Sequence, residues 1–252
     1  MKIKVISSGS KGNSTFIEMD GYRILIDVGI PFSRIKKELE EINEDVNKID
    51  GVLISHEHSD HLGGINSFNK KVHSKIFIRK ALNKAVKSLV CNDDIEIIDN
   101  EIKIGTINIR LFNTSHDVPN TGYVIEGEHN SVVYMTDTGY VNEKNIDITK
   151  NKEVYIIESN HDEEMLMNGP YPFVLKQRVL SDTGHLSNKS SSSYLKKVIG
   201  DNTKYIILAH ISENNNTYEM ALENAQTELN KLIDKDKILV AYQVNGAQLI
   251  EI

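Results

Sequence analysis

The chain has 252 residues, a formal net charge of −7 and 39% hydrophobic residues, with nine histidines, one cysteine and no tryptophan. This composition is typical of a folded protein near the upper length of one hydrophobic core, about 250–300 residues. The negative charge argues against a protein that coats nucleic acid through bulk charge, and a single cysteine excludes a disulfide framework or a multi-cysteine zinc ribbon.

Short β-branched runs bounded by Gly, Asn, Asp or Ser predict strands along the whole chain. The predicted strands are Ile3–Ile6, Phe16–Met19, Tyr22–Val28, Val52–Ile54, Ile76–Ile78, Ile95–Ile98, Ile107–Phe112, Tyr123–Ile125, Val132–Met135, Val154–Ile157, Tyr205–Ala209 and Ile238–Tyr242. The turns between the early strands are too short for crossover helices, so we expect those strands to be antiparallel.

Helical patterns separate several of these strands. The predicted helices are Pro31–Glu41, Leu62–Phe68, Lys80–Val90, Ser187–Ile199 and Thr217–Leu232. Ser187 or Asn188 is expected to cap the fourth helix, and Cys91 is expected to be a small buried residue at the end of the third pattern. The order of elements favours an α/β protein with mixed sheets and a single domain over residues 1–252, because no linker or repeat interrupts it.

The N-terminal segment has no apolar run of the length found in signal peptides. No stretch approaches the roughly 18 consecutive apolar residues of a membrane span. Together with the single cysteine, these features predict a cytoplasmic protein.

The strongest pattern is His56-Glu57-His58-Ser59-Asp60-His61, which follows an apolar run. Imidazole nitrogens and carboxylate oxygens are ligands that suit Zn²⁺ or Mn²⁺. His56 and His58 share one face of an extended segment, whereas Asp60 and His61 lie beyond the turn and can face a second ion. The pattern therefore predicts a metal site, with a polar surface loop as the alternative.

His-X-His-X-Asp-His after a buried strand resembles the signature of the metallo-β-lactamase-fold hydrolases. That family has further ligands after later strands, and His116, Asp137 and His210 stand at the corresponding places. The resemblance implies a four-layer αββα sandwich with mixed sheets. It also implies two divalent ions (Zn, Mn or Fe) that can activate a water and clamp a phosphoryl oxygen.

The resemblance divides the ligands into two sets that share one carboxylate. These sets are His56, His58 and His116 for one ion, and Asp60, His61 and His210 for the other, with Asp137 between the ions. Asp60 would also orient the attacking water. The implied site contains no thiolate.

His185 lies 25 residues before His210, in Gly184-His185-Leu186-Ser187-Asn188. In nuclease-like branches of this fold, a histidine at such a place contacts the scissile phosphate or protonates the leaving oxygen. The resemblance makes His185 a candidate general acid or phosphate ligand, which suits an imidazole with a pKa near neutrality. The alternative is a histidine in a helix-capping loop.

A closer resemblance is to the YycJ/WalJ group, cytoplasmic hydrolases of this fold that are regarded as exonucleases acting on duplex DNA from the 5′ side. The segments that carry it are Ser7–Ser14, Glu158–Asp162, Gly169–Pro172, Leu175–Arg178 and Gly184–Asn188. One position, Ser159, departs from the group's pattern, in which alanine is expected.

Six residues of these segments are candidate substrate contacts: Lys11, Asn13, His161, Arg178, Ser187 and Asn188. The Ser/Gly loop 7–14 could cradle phosphate with its N–H groups, or it could be a flexible hairpin turn. His161 and Asp162 could orient a metal ligand, or they could be a solvated loop pair.

Charge along the chain is uneven. From His61 through Asn92 there is no acidic residue, and the basic residues of this acid-free window are Lys70, Lys71, Lys75, Arg79, Lys80, Lys84 and Lys87. The window could follow a phosphate backbone, or its lysines could form a solvated helix face.

These features favour a two-metal phosphodiester hydrolase acting on DNA, with a 5′-to-3′ exonuclease on duplex DNA as the main hypothesis. One alternative is another hydrolase of the same fold, such as an RNase-type or cyclic phosphodiesterase, a lactonase or a thioesterase. Another is a non-catalytic regulatory protein, against which the complete ligand set argues. A homodimer is left open.

Overall fold

The computed structural model describes the backbone of residues 1–252 and every side chain except that of Asn92. The strands are β1 (Lys2–Ser7), β2 (Ser14–Met19), β3 (Tyr22–Ile26), β4 (Gly51–Leu53), β5 (Lys75–Arg79), β6 (Ile95–Ile98), β7 (Glu101–Ile104), β8 (Ile107–Asn113), β9 (Thr121–Glu126), β10 (Ser131–Met135), β11 (Val154–Glu158), β12 (Tyr205–Ala209), β13 (Ile238–Val240) and β14 (Ile250–Glu251). The helices are α1 (Phe32–Glu41), α2 (Ser59–Leu62), α3 (Ile65–Asn69), α4 (Asn83–Lys87), α5 (Glu143–Thr149), α6 (Glu163–Asn168), α7 (Phe173–Leu180), α8 (Asn188–Val198) and α9 (Tyr218–Glu228).

The strands form two seven-stranded mixed sheets with flanking helices. The first has the order β14-β1-β2-β3-β4-β5-β6 and the second the order β13-β12-β11-β10-β9-β8-β7. The chain divides into two compact units. Unit 1 comprises residues 1–111, 125–130 and 243–252, and unit 2 comprises residues 112–124 and 131–242.

In unit 1 the early strands are antiparallel, as predicted, from β14 through β1 and β2 to β3. From β3 to β6 the strands run parallel. The helix α1 covers the core of this unit with Ile35 and Leu39, which lie four residues apart and are fully buried. Because β3 and β4 are parallel neighbours, the segments that follow them leave the sheet at the same edge.

In unit 2 the strands β10, β11, β12 and β13 are parallel neighbours. They are buried on both faces, which explains their continuous apolar sequences. The helix α8 packs on them through Tyr194, Leu195 and Val198. Ser187 is its N-cap and accepts a hydrogen bond from the N–H of Ser190, so this part of the capping prediction is confirmed.

The twelve predicted strands are all present, but β7, β14 and the helices α5, α6 and α7 were not predicted. The predicted helix Leu62–Phe68 is confirmed over Ile65–Phe68 as part of α3, but its start is wrong, because α2 ends at Leu62 and two glycines separate it from α3. A Cβ atom on Gly64 would lie 1.9 Å from the carbonyl oxygen of Ile30, so the chain turns where only glycine fits. The expectation that Cys91 is buried is also wrong, because this residue is exposed.

Across the residues described here, no helix combines the length and the apolar character that a membrane crossing requires.

Candidate metal centre

The histidine-rich segment of unit 1 follows β4, whose three residues are buried. His56 is fully buried, and its Nε2 lies 3.1 Å from Nδ1 of His58. His58 is the N-cap residue of α2, whose single turn carries Asp60 and His61. The Nε2 atom of His61 lies 3.5 Å from Oδ2 of Asp60. The strand end and the short helix thus gather all four predicted ligands of this motif in one place.

Asp27, just beyond β3, orients His61. Its Oδ2 lies 2.7 Å from Nδ1 of His61, and it also accepts hydrogen bonds from the N–H and hydroxyl of Ser55 at 2.8 Å. An ionised carboxylate only accepts, so Nδ1 of His61 carries the proton and Nε2 presents its lone pair to a metal. Sequence reasoning missed Asp27. The signal available was an acidic residue at the end of an apolar strand.

Asn13 contacts the same ligands from the Ser/Gly loop. Its Nδ2 lies 2.9 Å from Nε2 of His61 and 3.3 Å from Oδ2 of Asp60, and it donates to the carbonyl of Gly9 at 3.0 Å. The backbone N–H of Asn13 donates to the carbonyl of Asp60 at 2.7 Å. The loop therefore packs against the histidine-rich segment. Substrate contact by Asn13, or by the exposed Lys11, stays a prediction.

Gly29 makes this packing possible. A Cβ atom at Gly29 would lie 1.6 Å from the carbonyl oxygen of Asp60 and 2.8 Å from the nitrogen of Asn13. We expect Gly29→Ala to displace the loop that carries Asp60 and to lower the metal bound per chain by half or more. Metal analysis after gel filtration checks this. Ser88→Ala, at an exposed position outside these loops, is the control, and full metal content in Gly29→Ala would contradict the prediction.

In unit 2 three side chains of a group that could hold a metal lie at the ends of neighbouring parallel strands. Asp137 comes two residues after β10, Glu158 is the last residue of β11, and His210 follows β12. One ligand atom from each of these residues and from His185 lies within 4.8 Å of the others. The carboxyl ends of parallel strands lie at one edge of the sheet, which is where ligands bind in open α/β sheets.

Glu158 organises this cluster. Its Oε1 accepts hydrogen bonds from Nδ1 of His185 at 2.7 Å and Nδ1 of His210 at 3.0 Å. Its Oε2 accepts from the backbone N–H of Thr138 at 3.0 Å and of Leu186 at 3.1 Å. Burial raises the pKa of Glu158, but the charge of His185 and the two histidine hydrogen bonds outweigh it and lower the pKa to about 2. The fully buried side chain is therefore a carboxylate with four donors.

This arrangement fixes both histidines. Because Nδ1 of each ring donates to Glu158, Nε2 is in both rings the nitrogen that this carboxylate does not hold. Burial lowers the pKa of His185, but the charge of Glu158 and its hydrogen bond outweigh burial, so the pKa is raised. Sequence reasoning quoted Glu158 within a motif but assigned it no role.

His116 lies in the same unit. Its Nδ1 lies 3.3 Å from the carbonyl oxygen of Gly184 and its Nε2 lies 3.3 Å from Oδ1 of Asp117. Burial lowers the pKa of His116, against the opposing effect of Asp137. The imidazole is therefore neutral at pH 7, the form that binds metal ions.

Three of the histidine and aspartate residues described above have left-handed backbone conformations. Asp27, Asp137 and His210 have φ values of 62°, 58° and 52°. Each comes just after a strand, so the left-handed turn redirects the side chain as the strand ends. Such conformations are uncommon outside glycine and concentrate at functional sites.

The remaining predicted residues of unit 2 mainly support its loops. Ser187 donates to Oε1 of Glu163 at 2.9 Å, and Arg178 forms an ion pair with Asp117. Asn188 is buried, accepts from the hydroxyl of Ser159 at 2.7 Å and donates to Oδ1 of Asn216 at 3.0 Å. Substrate contacts by Arg178, Ser187 and Asn188 stay predictions.

His161 is 1% exposed, so the alternative of a solvated loop pair does not hold for it. Burial lowers its pKa to about 4, against the charge of Glu158. Its carbonyl accepts from the N–H of Asn188 at 2.9 Å, which ties the segment after β11 to the start of α8. A substrate contact by His161 stays a prediction.

Residues 22–211 match the beta-lactamase superfamily domain. The chain belongs to the metallo-β-lactamase superfamily. It is 35% identical to the exodeoxyribonuclease WalJ of Streptococcus pneumoniae over 93% of this chain and 89% of that protein. It is 33% identical to the exodeoxyribonuclease YycJ of Bacillus anthracis over 88% of this chain and 86% of that protein.

Among solved structures, the metallo-β-lactamase-fold protein YhfI of Bacillus subtilis matches 99% of each chain with a TM-score of 0.75 at 18% identity. The predictions of this fold, of the relation to the YycJ/WalJ group and of a metal-dependent hydrolase are thereby confirmed. The groups of His, Asp and Glu side chains that could hold a metal are consistent with the two-metal site of the superfamily. Their donor chemistry fits, since carboxylates hold Nδ1 of His61 and His210 and direct Nε2 to a metal.

Proposed function

We propose that the chain is a 5′-to-3′ exonuclease that hydrolyses duplex DNA, with residues 1–252 acting as one domain. The similarity to two exodeoxyribonucleases over most of both chains carries this proposal. The cluster around Glu158 supports it, because it holds a histidine with Nε2 directed away from its carboxylate partner.

We propose that the ligands of both units together hold two divalent ions, zinc or manganese, with iron as an alternative. The ligand sets are those implied by the resemblance to the metallo-β-lactamase-fold hydrolases: His56, His58 and His116 for one ion, Asp60, His61 and His210 for the other, and Asp137 for both. When bound, the ions supply Lewis acidity to a phosphoryl oxygen and to a water. Asp60 orients the attacking water as well as binding metal.

His185 donates the proton that the leaving oxygen requires. Its Nδ1–H bond to Glu158 holds the ring in place, and its side chain is 20% exposed and therefore reachable by substrate. A proton donor lowers the barrier because the leaving alkoxide is strongly basic in water. Proton transfer from Nε2 leaves a neutral imidazole whose Nδ1–H remains bound to Glu158.

The decisive experiment is to load the purified chain with Mn²⁺ or Zn²⁺ and incubate it with 5′- and 3′-end-labelled duplex DNA, single-stranded DNA and RNA. We expect release of nucleotides from the 5′ end of duplex DNA, loss of activity with chelator and its recovery when metal is restored. We expect Asp60→Ala to abolish activity, because it removes a metal ligand. Equal activity in Asp60→Ala would reveal a contaminant, and turnover of a thioester or lactone without phosphodiester cleavage would refute the proposal.

We also propose that lysines of the acid-free window contact the phosphate backbone of DNA. Lys84 and Lys87 of α4 are exposed and lie three positions apart along the helix. We expect Lys84→Ala with Lys87→Ala to raise KM for duplex DNA and to reduce the slope of log KM against log salt by about 2, since each phosphate contact contributes about 0.9. The matched control is Lys36→Ala with Lys37→Ala, whose side chains pair with Glu40 and Glu41 on α1. If the two double variants changed KM and the salt slope equally, the effect would come from the lower net charge of the protein and not from a contact between α4 and DNA.

A further inference from the structure

A cavity in unit 2 is lined in part by chain segments that directly follow Asp137 and His185. Its volume is about 190 Å³, and it is bordered by the loop after β10, the residue after His185, α5 and one face of α8. The lining residues on which the inference depends are Tyr140, Leu186, Ser190, Ser193 and Lys197. Two of its lining residues are close in sequence to the candidate site: Gly139 is two residues after Asp137, and Leu186 directly follows His185. None of the steps proposed above uses it.

The walls of this cavity have a fixed position relative to His185. Glu158 accepts hydrogen bonds from the N–H groups of Thr138 and Leu186, and thus ties the two wall segments to the carboxylate that also holds His185. The hydroxyl of Thr138 donates to the carbonyl of Tyr140 at 2.8 Å. A group bound in the cavity would therefore lie in a defined place relative to the proposed proton donor.

The lining combines three kinds of contact. Tyr140 is 48% exposed, so its ring is available to a ligand. Ser190, Ser193 and Lys197 recur every three or four residues and share one face of α8, so hydroxyl groups and an ammonium group border the same cavity. An aromatic ring that stacks, hydroxyls that meet polar edges and a cation that meets a phosphate are the contacts used to bind single-stranded nucleic acid.

We propose that this cavity is a subsite for one nucleobase of the DNA strand, beside the scissile phosphate. Tyr140 stacks on the base, Ser190 and Ser193 contact its polar edge, and Lys197 pairs with the adjoining phosphate. The inference rests on the proposed nuclease function and extends it from the reacting phosphate to a neighbouring nucleotide. Lys196, next to Lys197, forms an ion pair with Glu228 and serves as its comparison.

The test uses the full chain loaded with Mn²⁺ and a series of 5′-labelled duplexes. In each duplex, a tetrahydrofuran residue, which lacks a base, replaces one nucleotide near the 5′ end, and the replaced position differs from duplex to duplex. We expect the analogue to raise KM about tenfold at one position for the wild-type chain, the size of effect known for base stacking. On the unmodified duplex, Tyr140→Ala should have a KM about tenfold above that of the wild-type chain. The abasic analogue should not raise the KM of Tyr140→Ala further. Tyr140→Phe should behave as wild type on both substrates.

Two further measurements separate stacking from a general defect. When 2-aminopurine replaces the base at the same position and the duplex is mixed with the Mn²⁺-loaded chain, its fluorescence should change before nucleotide release with the wild-type chain and Tyr140→Phe, but not with Tyr140→Ala. Lys197→Ala should raise KM and lower the salt dependence by about 1, whereas Lys196→Ala should not.

An abasic penalty that is absent at every position, or equal in Tyr140→Ala and wild type, would overturn the subsite while leaving the nuclease intact. A wild-type chain that cleaves no DNA would instead overturn the proposed function, and the subsite with it.

Discussion

Glu158→Gln is expected to lower kcat on duplex DNA by about 100-fold or more and to reduce the bound metal. An amide has one oxygen where the carboxylate has two, and its NH₂ group would face donors on His185, His210, Thr138 or Leu186. Loss of such a partner of a metal-binding histidine lowers affinity or activity about 10–100-fold, and here the proposed proton donor is affected as well. Steady-state kinetics and metal analysis on the same preparation check both effects.

The matched control for this substitution is Glu228→Gln. Glu228 is a half-exposed acid on α9 whose ion pair with Lys196 lies at the surface. We expect this control to keep wild-type kcat and metal content, because exposed pairs contribute about 1 kcal/mol or less to stability. A Glu158→Gln chain that retained both the metal and kcat would show that the four hydrogen bonds have no functional role.

His185→Ala is expected to lower kcat on DNA by about 100- to 10,000-fold, which is the usual contribution of general acid catalysis. The defect should depend on the leaving group. When sulfur replaces the leaving oxygen at the scissile bond, the leaving group is much less basic and needs no proton. The loss caused by His185→Ala should then shrink to about tenfold or less.

Comparison of the two substrates distinguishes proton donation from a purely structural role. If His185 only supported the loop, the loss would be equal for the oxygen and sulfur substrates. His129→Ala provides the control, since His129 is an exposed histidine of unit 1 outside both clusters. It should leave both rates unchanged.

Much of the fold follows from local patterns in the sequence. Continuous apolar runs such as Val154–Ile157 become buried parallel strands because tertiary burial and local β preference agree there. The β7 segment, Glu101–Ile104, alternates charged and apolar residues over only four positions, too short to distinguish from a loop. The Gly63-Gly64 pair was a local signal for the break between α2 and α3, but the close approach of Gly64 to Ile30 that requires glycine there is a tertiary contact.

Some residues of the candidate site could be identified from the sequence, and others needed the structure. The His56–His61 motif was evident from residue types alone, and the resemblance to the metallo-β-lactamase-fold hydrolases then pointed to His116, Asp137 and His210 as further candidates. The carboxylates behind them, Asp27 and Glu158, are separated from their partners by 34 and 27 or more residues. A single acidic residue after a strand does not reveal which histidine it will meet, so these partnerships needed the structure.

The exposed position of Cys91 has a practical consequence. It is the one thiol of the chain, and the proposed metal ligands are imidazoles and carboxylates. A maleimide dye would therefore attach at a single known place and leave the ligand atoms untouched. The chain could therefore be labelled at Cys91 for single-molecule fluorescence measurements on DNA without first replacing any other cysteine.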